Sequence, residues 1–140
     1  MPEGVPVAHA VEVRWEGGMR YTGGREGGPA VTIDGAAEAG PSPVDMMLVA
    51  LAGCSAIDVV DYLEKRRTPP DAVRVTVHFS RASDHPRRVT AAELVFQVTA
   101  ATSQEHVDRA IQLSFEKYCS VAATFSRDTR FSWRVELTAP

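Results

Sequence analysis

From Val7 to Trp15 apolar and polar residues roughly alternate, and after Gly17-Gly18 the alternation resumes over Met19 to Thr22. This is the period-two signature of a hairpin with a glycine turn. A second glycine cluster, Thr22-Gly23-Gly24-Arg25-Glu26-Gly27-Gly28-Pro29, precedes a short strand over Ala30 to Asp34 and a turn at Gly35, so the first third reads as a small meander. The period then changes. Ser42, Pro43 and Asp45 form a helix start, with Ser42 as N-cap, Pro43 at the first helical position and Asp45 completing a capping box. The helix is expected to run to about Arg67, where Thr68-Pro69-Pro70 breaks it. Its first half, Met46 to Cys54, is apolar on every side, which demands burial on every side. A lone small domain struggles to supply that, so a second subunit is expected to cover part of this helix.

Alternation returns in Val73, Val75, Val77 and Phe79, and again around Leu94, Phe96 and Val98, predicting two antiparallel strands joined by a polar loop over Ser80 to Arg88. Ser103 caps a second helix from Gln104 to about Tyr118, whose Val107, Ala110, Ile111, Ser114 and Phe115 share one face. Cys119 follows directly, Ser120 to Phe125 extends as a further helical turn, and Phe131, Trp133, Val135 and Leu137 alternate as a closing strand. The order β-β-β-α-β-β-α-β favours a two-layer α+β domain spanning residues 1–140 over a doubly wound parallel sheet.

Composition narrows the function classes. With 140 residues, 44% hydrophobic and 24% charged, the chain suits one globular domain. A net charge of -3, with 15 Lys and Arg scattered along the chain, argues against nucleic acid as a partner. The apolar run Met46 to Cys54 falls well short of the ~20 residues of a membrane span, and the first ten residues show no secretory signal pattern, so a cytoplasmic, membrane-free protein is expected. His9, His78, His85 and His106 show no paired metal-ligand spacing with one another or with the cysteines, so neither metal nor cofactor is expected. The glycines around Arg25 lack the Gly-Lys-Ser/Thr ending of a phosphate loop.

Two cysteines are too few for a disulfide framework, and in a reducing compartment a pair is either inert core or redox chemistry. A thiol of ordinary pKa is only about 3% thiolate at pH 7, so a reactive one needs a cation, a helix N-terminus or a hydrogen-bond donor. Cys54 lies inside a helix, away from the terminal dipole, with Asp58 one turn on, a context that by itself suits a buried small hydrophobe. Cys119 is better placed, because a cysteine at a break between helical stretches can face the amides of the second, and Lys117 is close in sequence. Spacing alone leaves both readings open.

The stretches Gly40-Pro41-Ser42-Pro43, Ala52-Gly53-Cys54-Ser55-Ala56-Ile57-Asp58-Val59-Val60 and Glu116-Lys117-Tyr118-Cys119-Ser120-Val121-Ala122 resemble the OsmC-like family, which includes organic hydroperoxide resistance proteins. The order of elements matches along nearly the whole chain. The resemblance implies an intertwined α+β homodimer with an antiparallel sheet, a long central helix and a second cysteine-bearing helix. It also implies a thiol-dependent peroxidase that reduces organic hydroperoxides in oxidative stress defence. Carried over, Cys54 is the attacking thiolate, Cys119 the resolving thiol, Arg25 the cation beside the thiolate with Arg20 as a nearby substitute, and a dithiol, possibly lipoyl, the reductant.

Two departures from the hydroperoxide branch stand out. Its usual glutamate ahead of the first cysteine is Val44 here, and Asp45, one position later, falls on the helix face opposite Cys54 and is already accounted for as a capping residue. Ser120, where proline usually follows the second cysteine, resembles the broader OsmC-like branch. Met46, Met47, Leu51, Phe115 and Phe125 are candidates for an apolar pocket lining or for plain core. The competing reading is a non-catalytic OsmC-like dimer that binds an apolar small molecule with both thiols inert.

Overall fold

Gly17 and Gly18, both at positive φ (104° and 56°), reverse the chain between β1 (Glu12–Gly17) and β2 (Arg20–Gly24), a turn for which glycine carries no steric cost. β3 (Ala30–Asp34) pairs with β2, giving the expected antiparallel meander in the order β1-β2-β3. The first strand begins at Glu12 rather than Val7, with Val7 to Val11 exposed outside the ladder. The computed structural model describes Gly4 and residues 7–140, and the chain divides into two compact units, Met1–Met47 and Leu48–Pro140.

In the first unit the register sets Val13, Gly23 and Val31 in one row and Trp15, Tyr21 and Ile33 in the next, so one face of the meander is apolar. That face is largely uncovered, with Trp15 67% and Val13 59% exposed. Asp34, by contrast, is buried, and its carboxylate accepts the amides of Ala36 and Ala39, both at 2.9 Å, with Arg20 Nε at 3.6 Å. Those amide hydrogen bonds hold its carboxyl below the usual carboxylate range. The loop they organise returns Pro41 to the Asp34 amide (3.0 Å) and delivers the chain to Ser42. Gly40 has no alternative here, because a Cβ would collide with the Thr32 carbonyl.

Helix α1 spans Pro43–Lys65. Both arms of the capping box form: the Asp45 amide donates to Ser42 Oγ at 3.1 Å, and the Ser42 amide to the Asp45 carboxylate at 3.4 Å. At the other end Thr68 N–H reaches the Leu63 carbonyl and Arg67 N–H the Glu64 carbonyl, each at 2.9 Å. This 6→1 and 5→2 pattern puts Arg67 at φ 61°, where a non-glycine residue costs about 1 kcal/mol. By length and composition α1 would suffice to cross a membrane. Its pattern is that of a core helix instead, with Leu48, Leu51, Ser55, Val59 and Leu63 buried along one stripe and Asp58, Asp61 and Glu64 elsewhere on its surface. The all-round burial expected for Met46 to Cys54 is not met within one chain: Met47 is 39% and Val49 55% exposed.

The second unit holds β4 (Ala72–Arg81), β5 (Val89–Thr99) and β6 (Arg130–Thr138), in that order in the sheet. β4 and β5 are antiparallel, but β5 and β6 run parallel, which corrects the expectation of a wholly antiparallel sheet. The cause is the connection: helix α2 (Gln104–Leu113), a wider turn over Ser114–Tyr118 and helix α3 (Ser120–Thr124) form a crossover, and a strand that returns through a helical crossover enters parallel. Aligned rows such as Val75-Phe96-Val135 and Val77-Leu94-Trp133 make one sheet face apolar, and Leu94 and Phe96 are fully buried. The other face carries Glu93, Gln97, Arg134 and Glu136, joined by hydrogen bonds and ion pairs.

Candidate active site

Two helical segments of the second unit present the thiols. Cys54 sits half-buried on α1, next to the buried Ser55 of its core stripe. α2 starts as expected, with Ser103 Oγ accepting the His106 amide (3.3 Å), but it does not continue regularly to Tyr118. From Ser114 the helix widens, and the Cys119 amide reaches back five residues to the Ser114 carbonyl at 2.7 Å, a π-type turn. Cys119 itself leaves the helix (φ -74°, ψ 101°) and caps α3, its sulfur accepting the Ala122 amide at 3.3 Å. Aromatic rings pin this crossover to β6: Phe115 stacks on Trp133 at 5.5 Å, and Phe131 lies 5.4 Å from both Phe115 and Phe125. Phe115 and Phe125 are therefore packing residues, as is the fully buried Leu51, whereas Met47 is exposed.

Cys54 is near enough to Cys119 to influence its ionisation. Burial pushes the Cys119 thiol up to about 11; hydrogen bonding to Cys54 and its negative charge push the same way, against the pull of the Ala122 and Val121 amides. The sequence argument that those amides favour a Cys119 thiolate is thus reversed by desolvation. Cys119 is therefore held as a protonated thiol near neutral pH. Both cysteines are reduced in this structure.

Asp58, one turn beyond Cys54, accepts a 2.7 Å hydrogen bond from Ser114 Oγ, and Ser114 is fully buried. Sequence reasoning treated Asp58 only as a charge beside Cys54 and Ser114 only as a core position. The four-residue step from Cys54 to Asp58 was the available signal. Arg25 lies exposed in the first unit, in the turn after β2 where the Gly28 amide bonds the Arg25 carbonyl at 2.9 Å. Arg20 is engaged by Asp34. Val44 is half-buried at the head of α1, and the carboxylate of Asp45 is occupied by the capping box. Among the described residues, no three His, Cys, Asp or Glu side chains gather as a metal site.

A sequence model described as OsmC-like protein matches residues 35–134, which include both cysteines, Asp58 and Ser114. The chain belongs to the OsmC-like family. Protein YhfA of Escherichia coli strain K12 is 36% identical over 129 residues, covering 91% of this chain and 96% of that protein. A hypothetical protein from Aquifex aeolicus VF5 superimposes with a TM-score of 0.85 at 24% identity, over 96% of this chain and 99% of the other. The organic hydroperoxide resistance protein OhrB of Bacillus subtilis shares the fold with a TM-score of 0.57 at 14% identity, over 94% and 98% of the two chains.

Proposed function

We propose that this protein is a cytoplasmic, homodimeric thiol peroxidase that reduces organic hydroperoxides through Cys54 and Cys119. The observation that carries this reading is the asymmetry of the pair, a half-exposed Cys54 beside a buried Cys119 that keeps its proton. The Cys54 thiolate attacks the distal peroxide oxygen, the O–O bond breaks, and the alkoxide takes a proton to leave as alcohol, with Cys54 now a sulfenic acid. The Cys119 sulfur then attacks the Cys54 sulfur, and water leaves as the disulfide forms. An external dithiol, a lipoyl group or its equivalent, restores two thiols and is itself oxidised to a disulfide. By resemblance to the hydroperoxide branch, Arg25 would be the cation for the Cys54 thiolate, with Arg20, paired with Asp34 at 3.6 Å, as its substitute.

The exposed apolar residues support a second copy as the missing cover, both on α1 (Met47, Val49, Ile57) and on the meander (Val13, Trp15, Val31). Size-exclusion chromatography with light scattering is expected to give a dimer; a monomer at micromolar concentration overturns that part of the reading. The alternative, a non-catalytic binder of an apolar molecule, is favoured by Val44 in place of an acid and by an Asp45 carboxylate spent on its helix cap. Free-thiol counting separates the two. One equivalent of cumene hydroperoxide added to reduced protein is expected to consume both thiols and give an intramolecular disulfide by mass spectrometry. Survival of both thiols leaves the binding reading.

A further inference from the structure

We infer that Asp58 and Ser114 are positioning residues for the thiol pair, a latch that sets the approach of Cys119 to Cys54. The inference rests on the redox-pair reading above and deepens it.

Ser114 uses every polar group it has. Its amide bonds the carbonyls of Ala110 and Ile111, its carbonyl takes the Cys119 amide at 2.7 Å, and its buried hydroxyl donates to Asp58 at 2.7 Å. Asp58 stands one turn from Cys54 on the same face of α1. One residue therefore ties the helix bearing the first sulfur to the turn bearing the second. Among the described residues, this is the one side-chain hydrogen bond joining α1 to Ser114–Tyr118.

The turn has a ready alternative state. Regular α-helical hydrogen bonding through Ser114–Tyr118 would shift Cys119 by roughly 100° about the helix axis, the rotation of one residue. With the latch closed, the wide turn is retained and the Cys119 sulfur stays beside Cys54. With the hydroxyl removed, the Asp58 carboxylate loses its buried donor and the turn loses its side-chain tie to α1. The quantity that the latch controls is the effective concentration of one thiol at the other.

Equilibration of the intact protein in buffers of reduced and oxidised dithiothreitol tests this without any peroxide. Cys54 and Cys119 together give two electrons and two protons to the cyclic disulfide, which opens to the dithiol as the protein disulfide forms. Ser114→Ala is expected to disfavour the protein disulfide about tenfold, equivalent to about 30 mV. Asp58→Ala should cause the same loss, and the double variant no further loss. Asp58→Asn keeps an oxygen that can accept the Ser114 hydroxyl and is expected to restore the wild-type equilibrium, as is Ser114→Thr. A purely structural role would lower the melting temperatures of the reduced and oxidised forms alike and leave the equilibrium unmoved. An equilibrium within about twofold of wild type in both alanine variants overturns the latch. Failure of the wild-type protein to form any Cys54–Cys119 disulfide instead refutes the redox pair, and the latch with it.

Discussion

Cys54→Ser is expected to abolish hydroperoxide consumption by several orders of magnitude, while Cys119→Ser leaves one round of oxidation and stalls as a sulfenic acid on Cys54. A serine hydroxyl in the nucleophile's place has no accessible anion near neutral pH, so the O–O bond is not attacked, and losses of this size are usual when a catalytic nucleophile is removed. In the proposed mechanism Cys119 acts only after the oxygen has been transferred, so its removal is expected to spare the first step and block the second. Stopped-flow consumption of cumene hydroperoxide, with dimedone trapping of the sulfenic acid, reads both outcomes. The proton on Cys119 gives an independent check. With its thiol pushed up to about 11, only about one Cys119 in ten thousand is ionised at pH 7. Its alkylation by iodoacetamide should therefore rise about tenfold per pH unit until pH approaches 11, because each unit below the pKa leaves about a tenth of the thiolate. Equal activity in Cys54→Ser and wild type, or rapid alkylation of Cys119 at pH 7, would sink the role assignment.

Phe96→Ala is expected to cost about 3–5 kcal/mol, a large share of the stability of a domain this size. Phe96 is fully buried in the middle strand, flanked in its row by Val75 on β4 and Val135 on β6. Truncation removes most of a large ring from a row held on both sides by backbone ladders that cannot close over the gap, so the cavity term adds to the lost burial. Urea unfolding should show a lower midpoint with an unchanged slope. A cost below about 1 kcal/mol would mean that the sheet face is less tightly covered than its burial indicates.

Local chemistry was legible wherever a short stretch determines its own structure. Ser42 and Asp45 cap each other, Ser103 caps α2, and the strand over Ala30 to Asp34 ends where its alternation ends. Four features were not legible because each depends on groups distant in sequence. The parallel pairing of β5 and β6 follows from how the crossover packs, which strand periodicity does not encode. The widened turn at Ser114 sits where its hydroxyl meets Asp58 on α1, and helical spacing reads the same for α and π turns over so few residues. The raised pKa of Cys119 is not legible because its amide donors are local and visible, while its burial and the nearby Cys54 are not. The exposed face of α1 shows why apolar residues all round a helix predicted more cover than a single chain supplies. The roles proposed for the cysteines and Arg25 come from resemblance to the OsmC-like family, whereas the Asp58–Ser114 hydrogen bond is visible only in three dimensions.

The parallel entry of β6 also has a consequence during synthesis. Phe131 and Trp133, the rings against which Phe115 rests, are made after both cysteines, and they sit on the strand that completes the apolar rows of the sheet. At the ribosome's ~5–20 residues per second, the stretch from Cys119 to Trp133 takes about a second to make, and through it the crossover has no β6 to rest on. The crossover that carries Cys119 gains its aromatic support only once that strand has emerged and docked. Until then the turn bearing Cys119 lacks the rings that fix it, so the setting of the second cysteine is completed by a strand made after it.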